Sequence, residues 1–446
     1  MSVDFTYRIQ MPHQEGSLAR LTGAIAECHG LIGDITTHSV GREGSEREFT
    51  VALEGRDHAE RLCARLDELD GVDVHWWRDR ALMMHEGGKL TIEPVRPVGT
   101  VQDMRDVYTP GVARACDEIE KDPAAAIKYT MIGRTVAICT NGTRVLGLGD
   151  IGPRAAMPVM EGKAVFYRQC AGISAMPILI DASDVDEFVR TVVRIAPTFG
   201  GIHLEDISAP DCFEIEARLD EELDQPVMHD DVHGTAVVTL AAAMVACREA
   251  GIDIPSATIG QIGLGAAGWG IASLMVDGGA GRVLGFDPDE GKHEKARESG
   301  IEIADGLEEL MREADVVIAT SGKPDSIDAG LIRDGQVILA LTNPHPEIDP
   351  DAAKEAGAAV ALDGASVNNV LGYPGIFKGA LRSGAGRVTR EMKLAAAWAI
   401  AGLSIESHQL VPDALDPDVH EHVAEAVCKA AIDCGAGREG MAPPGL

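Results

Sequence analysis

Two acidic pairs end apolar runs in this sequence. Glu205 and Asp206 end one run, and Asp230 and Asp231 end another. Each pair is predicted to lie where a buried parallel strand gives way to a loop, and such loops carry the chemistry of open α/β sheets. Four carboxylates in a dry crevice repel one another unless a cation joins them, and all-oxygen ligand sets suit Mg²⁺ or Mn²⁺. Together the pairs indicate a divalent metal site, although one such pair alone is more often solvated or a helix N-cap.

A glycine-rich turn lies between a predicted strand at residues 258–262 and a predicted helix. The turn contains Gly263, Gly265, Ala266, Ala267 and Gly268. Asp287 ends the next predicted strand, about 20 residues further on, as in the dinucleotide-binding fingerprint. In that arrangement the pyrophosphate rests on the helix N-terminus and the carboxylate bonds the ribose 2′-hydroxyl. Asp287 would repel a 2′-phosphate, so the pattern favours NAD over NADP.

Lys163 and Tyr108 are candidates for proton transfer. The chain is predicted to enter a helix at Pro158, which places Lys163 in the first turn. A lone cation there opposes the helix dipole, so its charge should be easier to lose. Tyr108 precedes Thr-Pro110-Gly, which enforces a turn, so its side chain is expected on a fixed loop. The alternative for Tyr108 is an aromatic residue at the edge of the core.

Polar residues also follow three later predicted strands. Asn343 and Asn369 follow strand ends on the predicted crevice side and could aim amide donors at a substrate, or they could simply form Asx turns. Ser321 begins the loop Ser-Gly-Lys-Pro, where a cofactor ribose or nicotinamide would lie, and Asn343 is expected to contact the cofactor as well.

The periodicity of apolar residues predicts an α/β protein with three domains and a tail. Residues 1–85 read as βαββαβ, the ferredoxin-like arrangement. Residues 86–232 are predicted to form an α/β domain for substrate and metal, and residues 233–434 a Rossmann-type, doubly wound NAD domain with C-terminal helices. Residues 435–446, rich in Gly and Pro, are predicted to be a flexible tail.

The composition narrows the classes of partner. The chain has 446 residues and a formal net charge of −32, which argues against nucleic acid and anionic membranes. Its nine cysteines are scattered and form no Cys-x-x-Cys pair, which indicates a reduced, cytoplasmic protein. The longest apolar stretches, such as residues 236–247, fall short of the ~20 residues of a membrane span.

Residues from about 85 to 430 resemble the malic enzyme family. The motifs that carry the resemblance are Tyr108-Thr-Pro-Gly-Val, Arg144-Val-Leu-Gly-Leu-Gly-Asp-Ile-Gly, Pro158-Val-Met-Glu-Gly-Lys163, Leu204-Glu-Asp-Ile, His229-Asp-Asp231, the glycine fingerprint and Asn368-Asn369-Val-Leu-Gly-Tyr-Pro-Gly-Ile-Phe. The N-terminal module, with Glu15-Gly-Ser-Leu at its first turn and Gly30, is similar to ACT regulatory domains. His13 and Glu15 replace that family's usual residues before the turn glycine, so a small effector and a purely dimerising role both stay open.

The resemblance implies a function and a site. It implies oxidative decarboxylation of malate to pyruvate by a homodimer or larger homo-oligomer, with NAD and Mg²⁺ or Mn²⁺ as cofactors. The matched positions imply metal ligands at Glu205, Asp206 and Asp231, a base at Lys163 with a lowered pKa, an acid at Tyr108, a base or supporting residue at Asp230, and substrate contacts at Arg144, Asn343 and Asn369. Val232 stands where close relatives usually have Gln, which could alter the surroundings of the metal.

Three other functions fit parts of the sequence. A malolactic enzyme would use the same groups but retain the hydride and release lactate. An ACT-linked amino-acid dehydrogenase could use the lysine, the crevice and Asp287 without needing the acidic pairs. A catalytically silent effector-binding protein would need only the N-terminal module, and the intact set of Tyr108, Lys163 and Asp231 argues against it.

Overall fold

The computed structural model describes residues 2–42, 44–145, 147–182 and 184–446. Leu146, inside the Arg144 motif, and Met1, at the start of the N-terminal module, lie outside the described residues. The chain divides into two compact units, Met1–Thr91 and Ile92–Leu446. The predicted further boundary at residue 232 stays a prediction.

The N-terminal unit has the element order βαββαβ that the periodicity predicts, followed by one short helix. Its strands form an antiparallel sheet in the order β2-β3-β1-β4, and alternate residues of β1, such as Phe5 and Tyr7, are buried in its core. The elements are β1 (Val3–Met11), α1 (Ser17–Glu27), β2 (Leu31–Gly41), β3 (Gly44–Leu53), α2 (Arg56–Asp67), β4 (Asp73–Asp79) and α3 (Arg80–His85).

The larger unit begins with three short helices and a parallel four-stranded sheet. The strand order β6-β5-β7-β8 makes β7 and β8 neighbours. The elements are α4 (Val101–Val107), α5 (Val112–Lys121), α6 (Ala125–Tyr129), β5 (Thr135–Thr140), α7 (Gly152–Phe166), β6 (Ser174–Leu179), α8 (Val185–Ile195), β7 (Gly201–Leu204), α9 (Asp211–Glu222) and β8 (Val227–His229).

A second parallel sheet follows, with the order β11-β10-β9-β12-β13-β14. This is the doubly wound arrangement, so the predicted α/β class with a Rossmann-type sheet is confirmed. The elements are α10 (Thr235–Ala250), β9 (Thr258–Ile262), α11 (Ala266–Asp277), β10 (Arg282–Phe286), α12 (His293–Glu298), β11 (Glu302–Ile303), α13 (Leu307–Glu313), β12 (Val316–Ala319), β13 (Val337–Ala340), α14 (Pro350–Glu355) and β14 (Val360–Asp363).

Three C-terminal helices complete the larger unit: α15 (Tyr373–Ser383), α16 (Arg390–Ser407) and α17 (Pro417–Asp433). The segment predicted to be a flexible tail makes contacts with them, because Arg438 N–H donates to the Ser383 carbonyl and Leu446 packs against the core. Its mobility stays a prediction.

Helix α10 lies at the centre of the larger unit. One apolar cluster joins its buried face to residues of both parallel sheets and of α15, for example Ile138 of β5, Ile259 of β9 and Ile376. The helical run Asp230–Ala250 is, at 21 residues, long and apolar enough to cross a membrane by length and composition, contrary to the expectation from the sequence. In this fold, 78% of the 18-residue apolar window within that run is buried inside the protein.

Helices α15 and α17 pack closely because two glycines face α17. A Cβ placed on Gly379 would lie 2.6 Å from the Ala424 carbonyl oxygen and 2.7 Å from Val427 Cβ. We predict that Gly379→Ala lowers the free energy of unfolding by about 1–3 kcal/mol, because the helices must move apart. The matched change Gly402→Ala, in α16 with nothing within 4 Å of the new methyl group, should instead be neutral or stabilising. Scanning calorimetry of both variants checks the pair, and equal unfolding temperatures would contradict it.

Candidate active site

The two acidic pairs meet because β7 and β8 are parallel neighbours. Leu204, the last residue of β7, is paired with His229, the last residue of β8, so both strands end at the same edge. Glu205 and Asp206 continue from β7, and Asp230 and Asp231 continue from β8. One carboxylate oxygen from each of Glu205, Asp206 and Asp231 lies within 4.8 Å of the others.

Backbone hydrogen bonds join the two acidic loops. Asp206 adopts a left-handed conformation, with φ of 54°, and its N–H donates to Asp231 Oδ2 over 2.9 Å. Arg144 N–H donates to the Asp206 carbonyl oxygen over 3.1 Å. Asp206 Oδ2 is buried and has no hydrogen-bond partner among the described residues. A buried oxygen without a partner, beside two further carboxylates, is a donor set that fits Mg²⁺ or Mn²⁺.

Lys163 lies against this cluster. Its Nζ is 2.6 Å from Asp230 Oδ2 and 3.0 Å from Glu205 Oε1, and it lies 4.7 Å from the ring centroid of Tyr373. Asn369 Nδ2 also donates to Asp230 Oδ2, over 2.8 Å. The structure therefore brings together five predicted site residues, namely Lys163, Glu205, Asp206, Asp231 and Asn369, around the sixth, Asp230.

The predicted reason for a low pKa at Lys163 is wrong. Helix α7 begins at Gly152 and continues through Pro158, so Lys163 lies in its last turn, where a cation is favoured by the dipole. Burial alone would lower the pKa of Lys163, but the carboxylates of Asp230, Glu205 and Asp231 raise it well above its usual value. Lys163 is therefore an ammonium ion in the metal-free protein.

One ammonium ion cannot neutralise four acidic side chains, so some of them keep their protons. Burial raises the pKa of Glu205 to about 8 and that of Asp206 to about 9, and neighbouring carboxylates add to both shifts. Burial also raises the pKa of Asp230, to about 6, so at pH 7 this carboxylate is ionised and forms the close pair with Lys163.

His203 supports Glu205 from within β7, and sequence reasoning missed it. His203 Nε2 is 2.6 Å from Glu205 Oε2, and Nδ1 is 2.8 Å from the Tyr167 hydroxyl. Burial lowers the pKa of His203 to about 4, so the ring is neutral at pH 7. A histidine two residues before the acidic pair, inside an otherwise apolar strand, was the available signal.

The glycine-rich turn has the predicted geometry. Gly263 has φ of 85°, and a Cβ on Gly268 would collide with the Gly263 carbonyl oxygen, so both positions require glycine. Helix α11 begins at Ala266, immediately after Gly265. The carboxylate of Asp287 accepts from Leu264 N–H over 2.8 Å, and Lys292 Nζ lies 3.0 Å from it, a partner that the sequence did not reveal.

Glu347 joins the two loops that follow β12 and β13, and it too was missed. Its Oε1 accepts from Ser321 N–H over 2.6 Å, and its Oε2 accepts from Thr342 N–H over 3.1 Å, beside Asn343. The Arg144 guanidinium reaches the same region, because a Cβ on Gly322 would lie 3.8 Å from Arg144 Nη2. In the described part of the chain, no hydrogen bond links the side chains of Arg144 or Asn343 to the acidic cluster.

Tyr108 is not brought to this cluster within one chain. Its side chain is 69% exposed, and it forms no hydrogen bond with Lys163 or the acidic residues in the ranges that the structure covers. Tyr108 follows α4, and neither α4 nor α5 buries a residue. Its expected place on a fixed site loop is not seen in the isolated chain.

Comparison with known proteins matches this geometry to one family. The family model described as the malic enzyme N-terminal domain matches residues 88–220, and the model for the NAD binding domain of 6-phosphogluconate dehydrogenase matches residues 258–359. The chain is 49% identical over 428 residues to NAD-dependent malic enzyme 1 of Bacillus subtilis, covering 96% of this chain and 97% of that protein. The chain belongs to the malic enzyme family.

Other relatives agree with this membership. The NAD-dependent malic enzyme of Geobacillus stearothermophilus is 39% identical over 100% of this chain and 98% of its own length, so the match includes the N-terminal unit. A crystal structure of malic enzyme from Pyrococcus horikoshii has a TM-score of 0.76 and 37% identity, and covers 80% of this chain and 91% of that one. The likeness of the N-terminal unit of this malic enzyme to ACT domains stays a prediction.

Val232 is part of the apolar core of this malic enzyme, and its effect on the surroundings of a metal stays a prediction. The side chain is fully buried in an apolar cluster that contains Ala137, Leu204 and Val227, with Trp269 packed against it. The apolar residue at this position thus extends the core between α11 and the first parallel sheet.

We predict that binding of Mn²⁺ releases protons at pH 7. Glu205 and Asp206 hold protons there, and a divalent ion binds ionised carboxylates, so affinity should rise as the pH rises towards about 9. Titration calorimetry in two buffers with different ionisation enthalpies measures the number of protons. Heat that is independent of buffer at pH 7 would contradict the prediction.

Proposed function

We propose that this malic enzyme converts (S)-malate to pyruvate and CO₂ with reduction of NAD, and that it needs a divalent metal. The observation that supports the proposal most directly is the cluster of Glu205, Asp206 and Asp231 with Lys163 at its side. The names of the relatives from Bacillus subtilis and Geobacillus stearothermophilus, both NAD-dependent malic enzymes, support the same reaction. We propose Mg²⁺ or Mn²⁺ as the metal because all its ligands would be oxygens.

Each residue of the site has a role in this proposal. Lys163 takes the proton of the C2 hydroxyl as a hydride leaves C2, and Tyr108 gives a proton to C3 after CO₂ leaves. NAD held at the glycine turn would supply the acceptor for that hydride. Arg144 grips a substrate carboxylate through its planar fork, and Asn343 and Asn369 donate amide hydrogen bonds. A metal ion held by Glu205, Asp206 and Asp231 would polarise the C2 oxygen and would stabilise the negative charge that develops there.

The proposal needs Lys163 to lose its proton, although its pKa is raised in the metal-free protein. The rise comes chiefly from the negative charge of Asp230, so it shrinks when a bound cation offsets that charge. Burial then acts in the opposite direction and favours the neutral amine. Lys163 thus becomes a base only in the metal-bound enzyme.

The proposal predicts equal amounts of NADH and pyruvate from L-malate, NAD and Mn²⁺. Lys163→Ala should abolish hydride transfer but leave NAD binding unchanged, because Lys163 lies beside the acidic cluster and not at the glycine turn. Lys354→Ala, at an exposed position on α14, is the control and should keep full turnover. Assays of NADH, pyruvate and lactate check the outcome. Lactate would indicate the malolactic reaction, and turnover by Lys163→Ala would remove this residue from the role of base.

Tyr108 is proposed to act in the site of a second copy of the chain. The segment that carries it exposes several large apolar side chains, which is unusual for a surface that stays in water. These residues are Val101, Met104, Val107, Tyr108 and Val112. A homodimer that buries this surface could place Tyr108 of one copy beside Lys163 of its partner.

Mixing two inactive variants tests this arrangement. Tyr108→Phe and Lys163→Ala are each expected to be inactive alone. In a shared-site dimer, the mixed dimer has one site with both side chains intact, so a random equal mixture should recover about a quarter of wild-type activity. No recovery, with exchange of chains shown by mass spectrometry of the mixed dimer, would place both residues in one chain.

The N-terminal unit is proposed to be an ACT-like regulatory or dimerising module. Its strand order, β2-β3-β1-β4, supports the ferredoxin-like arrangement, and every residue of edge strand β2 is exposed. A small effector or a second copy could use this unit. The cytoplasm is the proposed location, since the nine cysteines are free thiols, and NAD is proposed over NADP because of Asp287.

A further inference from the structure

The loop that follows β8 is held at both ends by one carboxylate. This loop, Asp230–Gly234, is a five-residue helical turn that carries Asp230 and Asp231. Glu216 of α9 accepts at Oε1 from the backbone N–H of His229, just before the loop, over 2.7 Å. Its Oε2 lies 3.0 Å from His233 Nε2, near the end of the loop. A single side chain therefore spans the segment that contains both acids.

The hydrogen-bond chain has a fixed direction. Lys393 of α16 lies with Nζ 3.2 Å from His233 Nδ1. An ammonium group can only donate, so Nδ1 accepts and the ring proton is on Nε2, which donates to Glu216. Burial alone would raise the pKa of Glu216, but His233, His229 and Lys393 lower it to about 2, so the carboxylate is ionised. Both of its oxygens are thus acceptors, as the two donors require.

The middle of the same loop packs against the NAD-domain helix α11. A Cβ on Gly270 would collide with the Val232 carbonyl oxygen, so the loop and the helix are in direct contact. With the ends fixed by Glu216 and the middle blocked by α11, Asp230 and Asp231 have little freedom to rotate away from Glu205 and Asp206.

We propose that Glu216 is a positioning residue for the metal: through His229 and His233 it holds the Asp230–Gly234 loop so that Asp231 faces Glu205 and Asp206 before the ion arrives. The inference rests on the proposed metal-dependent function. Residues that orient metal ligands typically change metal affinity by roughly 10- to 100-fold when they are replaced. Glu216 bonds the backbone of His229 and the ring of His233, and among the described residues it forms no hydrogen bond with the glycine turn, so its effect should be confined to the metal.

Glu216→Gln tests the positioning role with minimal change in shape. Glutamine has one acceptor and one donor at its end, so it can satisfy the His229 N–H or the His233 Nε2–H but not both. We expect this variant to bind Mn²⁺ roughly 10- to 100-fold more weakly without substrate present, with NAD affinity unchanged. Glu222→Gln, the same change at an exposed position on α9, is the control and should match the wild type.

The readouts are Mn²⁺ binding by electron paramagnetic resonance of the free ion, NAD binding by calorimetry, and the unfolding temperature of the metal-free protein. Mn²⁺ binding by Glu216→Gln at wild-type affinity would overturn the inference. Equal weakening of Mn²⁺ and NAD binding would also overturn it, because Glu216 would then stabilise the larger unit as a whole and not the metal ligands in particular. If the wild type itself bound no Mn²⁺, the proposed function would fail instead.

Lys393→Met provides an independent variant from a different helix. Methionine keeps most of the volume of lysine but cannot donate to His233 Nδ1, so the ring loses its anchor while Glu216 stays intact. We expect the same direction of effect on Mn²⁺ as in Glu216→Gln but a smaller size, and the double variant should be no weaker than Glu216→Gln alone. Additive losses in the double variant would show that the two residues do not act through one chain of bonds.

Discussion

The site contains four acidic side chains and one lysine, and this imbalance of charge determines which of its groups hold protons. Lys163 is the one cation that bonds Glu205 and Asp230 among the described residues, and two further acids, Asp206 and Asp231, lie beside them. In the protein without metal, Glu205 and Asp206 keep their protons, and the ammonium group of Lys163 pairs with Asp230. The same groups that keep Lys163 charged in that state are those that a divalent ion would neutralise. The proposed binding of a metal ion and the proposed role of Lys163 as a base therefore depend on the same electrostatic balance.

The parts of the site that could be predicted from the sequence are those set by strand ends. Glu205 and Asp231 end apolar runs, and parallel strands place such ends at one edge, so their meeting follows from local patterns and one topological rule. The glycine turn was predictable for the same reason, since Gly263 and Gly268 have conformational and packing requirements that only glycine meets. In both cases the residues of a short segment are enough to determine the local backbone geometry.

The residues that could not be predicted depend on contacts between distant segments. Pro158 suggested a helix start, but α7 begins six residues earlier and carries the proline inside it, which moved Lys163 from the first turn to the last. Glu347 and Glu216 look like ordinary acidic residues in the sequence, and their roles arise only when a loop or a turn folds against them. Tyr108 is a further case, because its side chain is exposed in the isolated chain and its proposed role depends on a second copy of the chain.

The turn after β8 carries Asp230 and Asp231 and also contacts α11, the helix that follows β9 of the second parallel sheet. The last residue of the turn is Gly234, where a Cβ would collide with Asp230 Oδ1. The middle residue, Val232, is buried against α11. A polar side chain at position 232 would have to find a partner inside an apolar cluster, so valine suits this packing. Because α11 begins at the glycine turn, displacement of that helix would move Val232 and with it the acids. The contact between Val232 and α11 therefore links the helix that begins at the glycine turn to the turn that carries Asp230 and Asp231.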